Sequence, residues 1–415
     1  MGMKTIFSID QSYLYFNFKC MTLMGLWNPY EIGVKYWLYQ IYTMWMIGVI
    51  HIMRTMSTFS RSLTADTPLF FIQESSIFAA EIADIIKCIA FIYHRVQISE
   101  LSNLFNWEKH MLSGEELKNR RNQVLRDSLF ASKTFTIVIM ISGIQYFAFY
   151  FYSALMQSDH QVERLPMGSI PMKYLIVSTK FWPVFIVDYL SATALGVIAL
   201  SQDAFLMGVM INIAAQLKIL NLRLEYRQAS HKSNDNYSSN HPNLGTHFDC
   251  VVRIHDKPAT LEPNDELIIC IKFHQQIMRM LKLFKSIYSI VLLPQIFISL
   301  SMTVLQLQLI LGEHQKSTDT LIASVFLFGV VVQLLAFCWG GNFILMESEK
   351  TSYSIYASHW YSEDRVFRNN LKIFLGAVRN PLTVTAGGLI GLTAETFKNI
   401  LSKGYSVAAV LKNFN

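Results

Sequence analysis

The sequence predicts an all-α membrane protein with seven spans, its N-terminus in the cytoplasm and its C-terminus outside. Three observations lead there. Of 415 residues, 52% are hydrophobic and only 15% charged, which is not the composition of an ordinary soluble domain. The apolar residues fall in long runs separated by charged connections. Lys and Arg are also unevenly shared between alternate connections. One side holds three around the N-terminus, six in the first connection, ten in the largest and five in the last, 24 in all. The other side holds five: Arg61, Arg164, Lys173, Lys180 and Lys316. The positive-inside rule puts the first side in the cytoplasm.

Residues 1–33 are mixed and aromatic, broken at Asn28-Pro29, and read as an amphipathic element lying at the membrane interface. Lys4, Asp10 and Lys19 interrupt any apolar core there, so no cleavable leader is expected. The block 34–213 holds spans one to four, at 34–59, 68–93, 128–153 and 181–213. Span two carries Glu74, Glu81 and Asp84 on one broad face, with Lys87 a turn further on. These acids read as an interhelix polar network capped by Lys87, or alternatively as ligand contacts.

The block 214–285 is a charged connection. Its first helix continues through Leu217, Leu220, Leu224 and Tyr226 at helical spacing, and a second helix covers 265–285. Between them, Ser230 to Pro263 reads as a flexible loop, with histidines too irregularly spaced for a metal site. Spans five and six fill 286–345, as 286–311 with Pro294 inside and 320–345. Residues 346–383 form a charged, aromatic cytoplasmic segment, helical around 364–378.

The stretch 384–415 reads as the seventh span. At 100° per residue one face collects Thr385, Gly388, Glu395, Thr396, Asn399, Ser402, Lys403, Ser406 and Asn413. The opposite face collects Ile390, Phe397, Ile400, Leu401, Ala408 and Leu411. A span that is polar on one side needs water or polar protein on that side. Val410 interrupts the polar stripe, as an apolar gate rung would. The alternative is an amphipathic helix whose polar face is hidden in a bundle.

The five cysteines lack paired spacing, so neither a disulfide framework nor a zinc site is expected. Basic residues flank membrane runs rather than forming a nucleic-acid patch. Serine, histidine and acid residues show no nucleophile spacing, and there is no nucleotide loop. The chain reads as a non-enzyme without a cofactor. The sequon Asn236-Tyr237-Ser238 falls in a connection assigned to the cytoplasm.

The tail resembles the carboxyl-terminal signature of insect odorant receptors. The matching pieces run in order: Tyr353-Ser354-Ile355-Tyr356, Trp360-Tyr361, the basic run Arg365 to Lys372, Asn380-Pro381, Thr385-Ala386-Gly387-Gly388, Thr396-Phe397 with Ile400-Leu401, and Ser406 to Leu411. Ser406-Val407 and Asn413-Phe414 also resemble a degraded form of the ending of the related gustatory receptors. The resemblance implies an odorant-receptor-type ion channel subunit: an odorant-gated, non-selective cation channel in the plasma membrane of olfactory sensory neurons. It implies a small volatile odorant as ligand, membrane lipid around the spans, and a common co-receptor in a heterotetramer. It places the ligand in the outer half of spans two, three, four and six. This chain offers Ile72, Ser76, Tyr146, Phe149, Tyr150, Tyr189, Thr193, Ser324 and Phe328 there. It places the pore and gate at Ser406, Val410, Asn413 and Phe414. A gustatory-type channel and a metabotropic G-protein-coupled receptor remain as alternatives, and the charge asymmetry opposes the latter.

Overall fold

The computed structural model describes residues 14–30, 33–64, 68–105, 115–156, 181–238, 262–311, 317–358 and 360–414. It is an all-α bundle with one small hairpin. The helices are α1 (Tyr15–Leu23), α2 (Val34–Thr43), a π-helical stretch (Met44–His51), α3 (Ile52–Leu63), α4 (Pro68–Tyr93), α5 (Arg95–Leu104), α6 (Glu115–Met156), α7 (Phe181–Ser238), α8 (Pro263–Leu311), α9 (Ser317–Tyr356), α10 (Arg365–Val378) and α11 (Ala394–Phe414). Strands β1 (Thr385–Ala386) and β2 (Ile390–Gly391) precede α11. Among the described residues, Phe185–Glu225, Pro263–Leu311 and Ala323–Ser362 are long and apolar enough to cross a membrane by length and composition.

α7 is the axial helix. Every residue from 201 to 217 is buried, polar ones included. It packs on α6, α8 and α9. The charged connections expected beside spans three to six are largely helical continuations of those spans, since α6, α7, α8 and α9 all run well past a bilayer's thickness. α7 extends to Ser238, so the start of the stretch read as a flexible loop is helical, while 239–261 lie outside the described residues.

Two expectations are corrected. The N-terminal element does not merely lie at an interface: α1 enters the core. Leu14, Phe18 and Met21 are buried there, and Asn17 donates to the Ala204 carbonyl of α7 at 3.0 Å. Phe18 meets Phe205 and Trp27, so aromatic packing holds α1 against α7.

The second correction concerns the last span, whose helix starts at Ala394 rather than Val384. Residues Val384 to Leu392 turn back as an antiparallel hairpin, pairing Thr385 with Gly391 and Ala386 with Ile390. Gly387 and Gly388 have φ of 59° and 72°, the left-handed pair that a tight hairpin turn demands. Thr393 then caps the helix, accepting from the Thr396 amide at 3.2 Å. Thr385, Gly388 and Ile390 therefore lie on no helical face. The remaining 21 residues of α11 span about 31 Å, still one hydrocarbon thickness.

α10 forms where the sequence places it. Asp364 caps it by accepting from the Phe367 amide at 2.8 Å. Phe367, Leu371, Phe374 and Val378 make a buried stripe at helical spacing. The stripe seats on the first half of α8, where the His274 ring meets Phe374 at 5.5 Å. Burial pushes the His274 imidazole down to about 4.

Candidate functional site

α11 presents two faces of opposite character. Ile400, Gly404 and Ala408 are buried, and Phe397 packs against the core. Gly404 brings the helix close to Thr303 of α8, and Gln308 donates to the Ala408 carbonyl at 3.4 Å. Glu395, Asn399, Ser402, Lys403 and Ser406 are exposed. Val410 is 53% exposed on the same side. The Ser406 hydroxyl donates back to the Ser402 carbonyl at 2.8 Å, which satisfies it without leaving the helix. The polar stripe thus lies on the exposed side of the helix, with Val410 in it and Tyr405, Val407 and Leu411 exposed beside it. The side chains of Asn413 and Phe414 lie outside the described residues.

The stripe borders an apolar groove of about 850 Å³ between α4, α8 and α11. Phe71, Ser75 and Ala79 line it from α4, Met302 and Leu305 from α8, and Ser402, Lys403 and Val407 from α11. Nothing in the sequence marked this groove, because its walls come from three stretches far apart in the chain.

The expected ligand residues are partly placed. Ile72 and Ser76 stand on α4, and Tyr146, Phe149 and Tyr150 on α6, with side chains outside the described ones. Tyr189 on α7 is half-buried. It stacks on Phe185 at 5.9 Å and meets Phe151 at 5.5 Å and Phe147 at 6.5 Å. The structure thus joins α6 and α7 through an aromatic cluster, and Phe147, Phe151 and Phe185 are members that sequence reasoning did not select. Thr193 is half-buried and donates to the Tyr189 carbonyl at 2.7 Å. Ser324 on α9 does the same to Thr320 at 2.8 Å. Phe328 is exposed and is not gathered into that cluster.

The acids of span two find defined partners. Glu74 pairs with Arg61 at 2.9 Å, and Glu81 with Arg54 at 3.5 Å, both arginines on α3. Thr58 also donates to Glu81 at 3.1 Å. Lys87 is no cap but a centre, 2.6 Å from Asp84 and 3.2 Å from Asp203 of α7. Gln333 of α9 donates to the other Asp203 oxygen, and Gln295 of α8 donates to Gln333 at 3.3 Å. Four helices therefore meet through one chain of charged and amide groups. Arg61, assigned above to an outer connection, lies in α3 and is buried against Glu74. Every charge here is paired, as burial away from water demands.

A family model described as 7tm Odorant receptor matches residues 67–405. The chain belongs to that family. Odorant receptor 22a of Drosophila melanogaster is 28% identical over 165 residues, which cover 39% of this chain and 41% of that one. Odorant receptor 33b of the same species is 22% identical over 325 residues, covering 77% and 76%. Alignments with odorant receptors 22a, 22b and 33a reach only 41%, 38% and 43% of those proteins' lengths. The solved structure of the olfactory receptor OR5 from Machilis hrabei in complex with eugenol superposes with a TM-score of 0.76 at 12% identity. It covers 99% of this chain and 100% of that one, and at such identity the likeness shows the fold. The resemblance read from the tail and the all-α seven-span class agree with this family, and the chain is a multi-pass membrane protein.

Proposed function

We propose that this chain is an odorant receptor subunit: an odorant-gated, non-selective cation channel that assembles with a common co-receptor in the plasma membrane of olfactory sensory neurons. The observation that carries the reading is the exposed polar stripe of α11, broken by Val410, on a helix whose other face is seated on α8. Such a stripe supplies hydrogen bonds to water along a pore, and an apolar rung withdraws them at one level. Family membership and the fold support the same reading. The ligand is a small, largely apolar volatile held near the α6–α7 aromatic cluster around Tyr189, with a hydroxyl for its polar atom.

The N-terminus faces the cytoplasm and the C-terminus the outside, on the strength of the 24-to-5 basic asymmetry. This separates the channel from the metabotropic alternative. The decisive experiment labels epitopes in intact cells while recording odorant-evoked currents with and without a co-receptor. An epitope at Asn415 labels and one before Lys4 does not, and the current follows odorant directly. A labelled N-terminus, or a glycan on Asn236, restores the G-protein-coupled reading.

A further inference from the structure

The geometry points to a buried water-binding site at the centre of the bundle, where one water joins the Tyr288 hydroxyl of α8 to the Lys87–Asp203 ion pair. The site is a small cavity of about 20 Å³, walled by Lys87, Gln202, Asp203, Tyr288, Gln295 and Phe337. A cavity accepts one water once it offers about 10–15 Å³ and two to four polar partners. Both conditions hold here.

The hydrogen-bond inventory sets the occupant. Tyr288 is only 7% exposed, and its hydroxyl has no partner among the described residues. A buried hydroxyl left unpaired is unfavourable, and a bridging water removes that cost. Lys87 carries three N–H donors; Asp84 and Asp203 take two of them, which leaves a third. The water accepts from Lys87 and Tyr288, and donates to amide or carboxylate oxygens of Gln202, Gln295 or Asp203. The wall sets the Lys87 ammonium beside the Asp203 carboxylate, so an occupant that both accepts and donates satisfies the two together. The occupant is therefore neutral, a donor and an acceptor at once.

The site also has a definite position. Tyr288 immediately precedes Ser289, whose carbonyl and hydroxyl hold the hairpin at the base of α11. The water thus ties the residue beside that anchor to the ionic centre shared by α4 and α7.

The test uses the full-length chain purified in detergent, with thermal unfolding as the first readout. Tyr288→Phe removes one bond from a bridging water, and the expected result is a midpoint lower by roughly 2 °C. A raised or unchanged midpoint overturns the proposal, since deleting an orphan hydroxyl from a dry void stabilises. Should the variant fail to fold, an experimental structure of the wild type that resolves waters decides. Density within hydrogen-bond reach of Tyr288 Oη and Lys87 Nζ supports the site, and a clear void there sinks it. Replacing sodium chloride by choline chloride separates the remaining occupant. A sodium-dependent midpoint that Tyr288→Phe abolishes assigns a cation and overturns the neutral one.

Discussion

Lys87 of α4 and Asp203 of α7, 116 residues apart in the chain, are held 3.2 Å apart inside the bundle. Asp84 takes a second proton of the same ammonium at 2.6 Å. Removing the shared cation leaves the buried carboxylate of Asp203 and the half-buried one of Asp84 without a counter-ion. Lys87→Met is therefore expected to destabilise the fold by about 3–5 kcal/mol and to cut surface delivery sharply. Lys87→Arg keeps the charge and loses less. Thermal unfolding and surface biotinylation of the two variants check this; equal stability of Met and wild type refutes it.

Gly387 is a second sensitive position. Its φ of 59° disfavours any other residue, and a Cβ there would stand 2.6 Å from the Leu293 side chain. Gly387→Ala is expected to cost more than about 1 kcal/mol. Gly376 lies within α10 with nothing near its Cβ position, so Gly376→Ala stabilises by about 0.5–1 kcal/mol. Opposite shifts in unfolding midpoint are the signature.

The docking of α10 on α8 depends on pH. His274 has its proton affinity lowered by burial, to about 4 from an ordinary 6.5. The folded state therefore favours the neutral ring. Its contribution is whole above about pH 6.5 and is lost as pH falls from there toward 4, amounting to about 2 kcal/mol by pH 5. The wild type is expected to lose stability between pH 7 and 5 more steeply than His274→Leu. Parallel curves for the two proteins defeat the assignment.

For ligand choice, Tyr146→Ala and Tyr150→Ala are expected to reorder agonist potencies while leaving the maximal current largely intact. The two residues lie a turn apart on α6, the helix that also supplies Phe147 and Phe151 to the aromatic cluster. If both variants reach the surface and every agonist keeps its potency, the ligand sits elsewhere.

For gating, Val410→Ser is expected to let current flow without odorant, because the exposed rung becomes able to hold water. A co-receptor with intact gates dilutes the effect to a modest leak. Ala408 is buried against α8 and supplies the control. Cysteine at 410 reacts with thiol reagents faster in the open state, whereas cysteine at 408 does not. Equal reaction rates rule out this face as the pore lining.

Much of this architecture was legible because it is periodic. The stripe of Phe367, Leu371, Phe374 and Val378 and the cap at Asp364 define α10 locally. The amphipathic division of α11 from Glu395 onward was equally plain. What escaped was long-range or aperiodic. Asp203 is a lone acid in an apolar run, and its partner Lys87 lies in another span. Arg54 and Arg61 were read as part of one helix and one connection, although both face α4. The hairpin did leave a signal: two adjacent glycines, then a threonine cap. Hydropathy summed over a window of spanning length ran straight through it.

The hairpin has a mechanical consequence. β1 is bound to α8 through Ser289, which accepts from the Gly387 amide at 2.7 Å and donates to the Thr385 carbonyl at 3.0 Å. α11 itself is bound to α8 further along, where Gly404 meets Thr303 and Gln308 reaches Ala408. Pro294 lies between those two attachments and lacks the amide that would stiffen the helix there. α8 thus lacks a backbone hydrogen bond between the two points at which the tail of the chain is attached to it. A bend there would shear hairpin against helix, with the short link at Leu392–Thr393 taking up the slip.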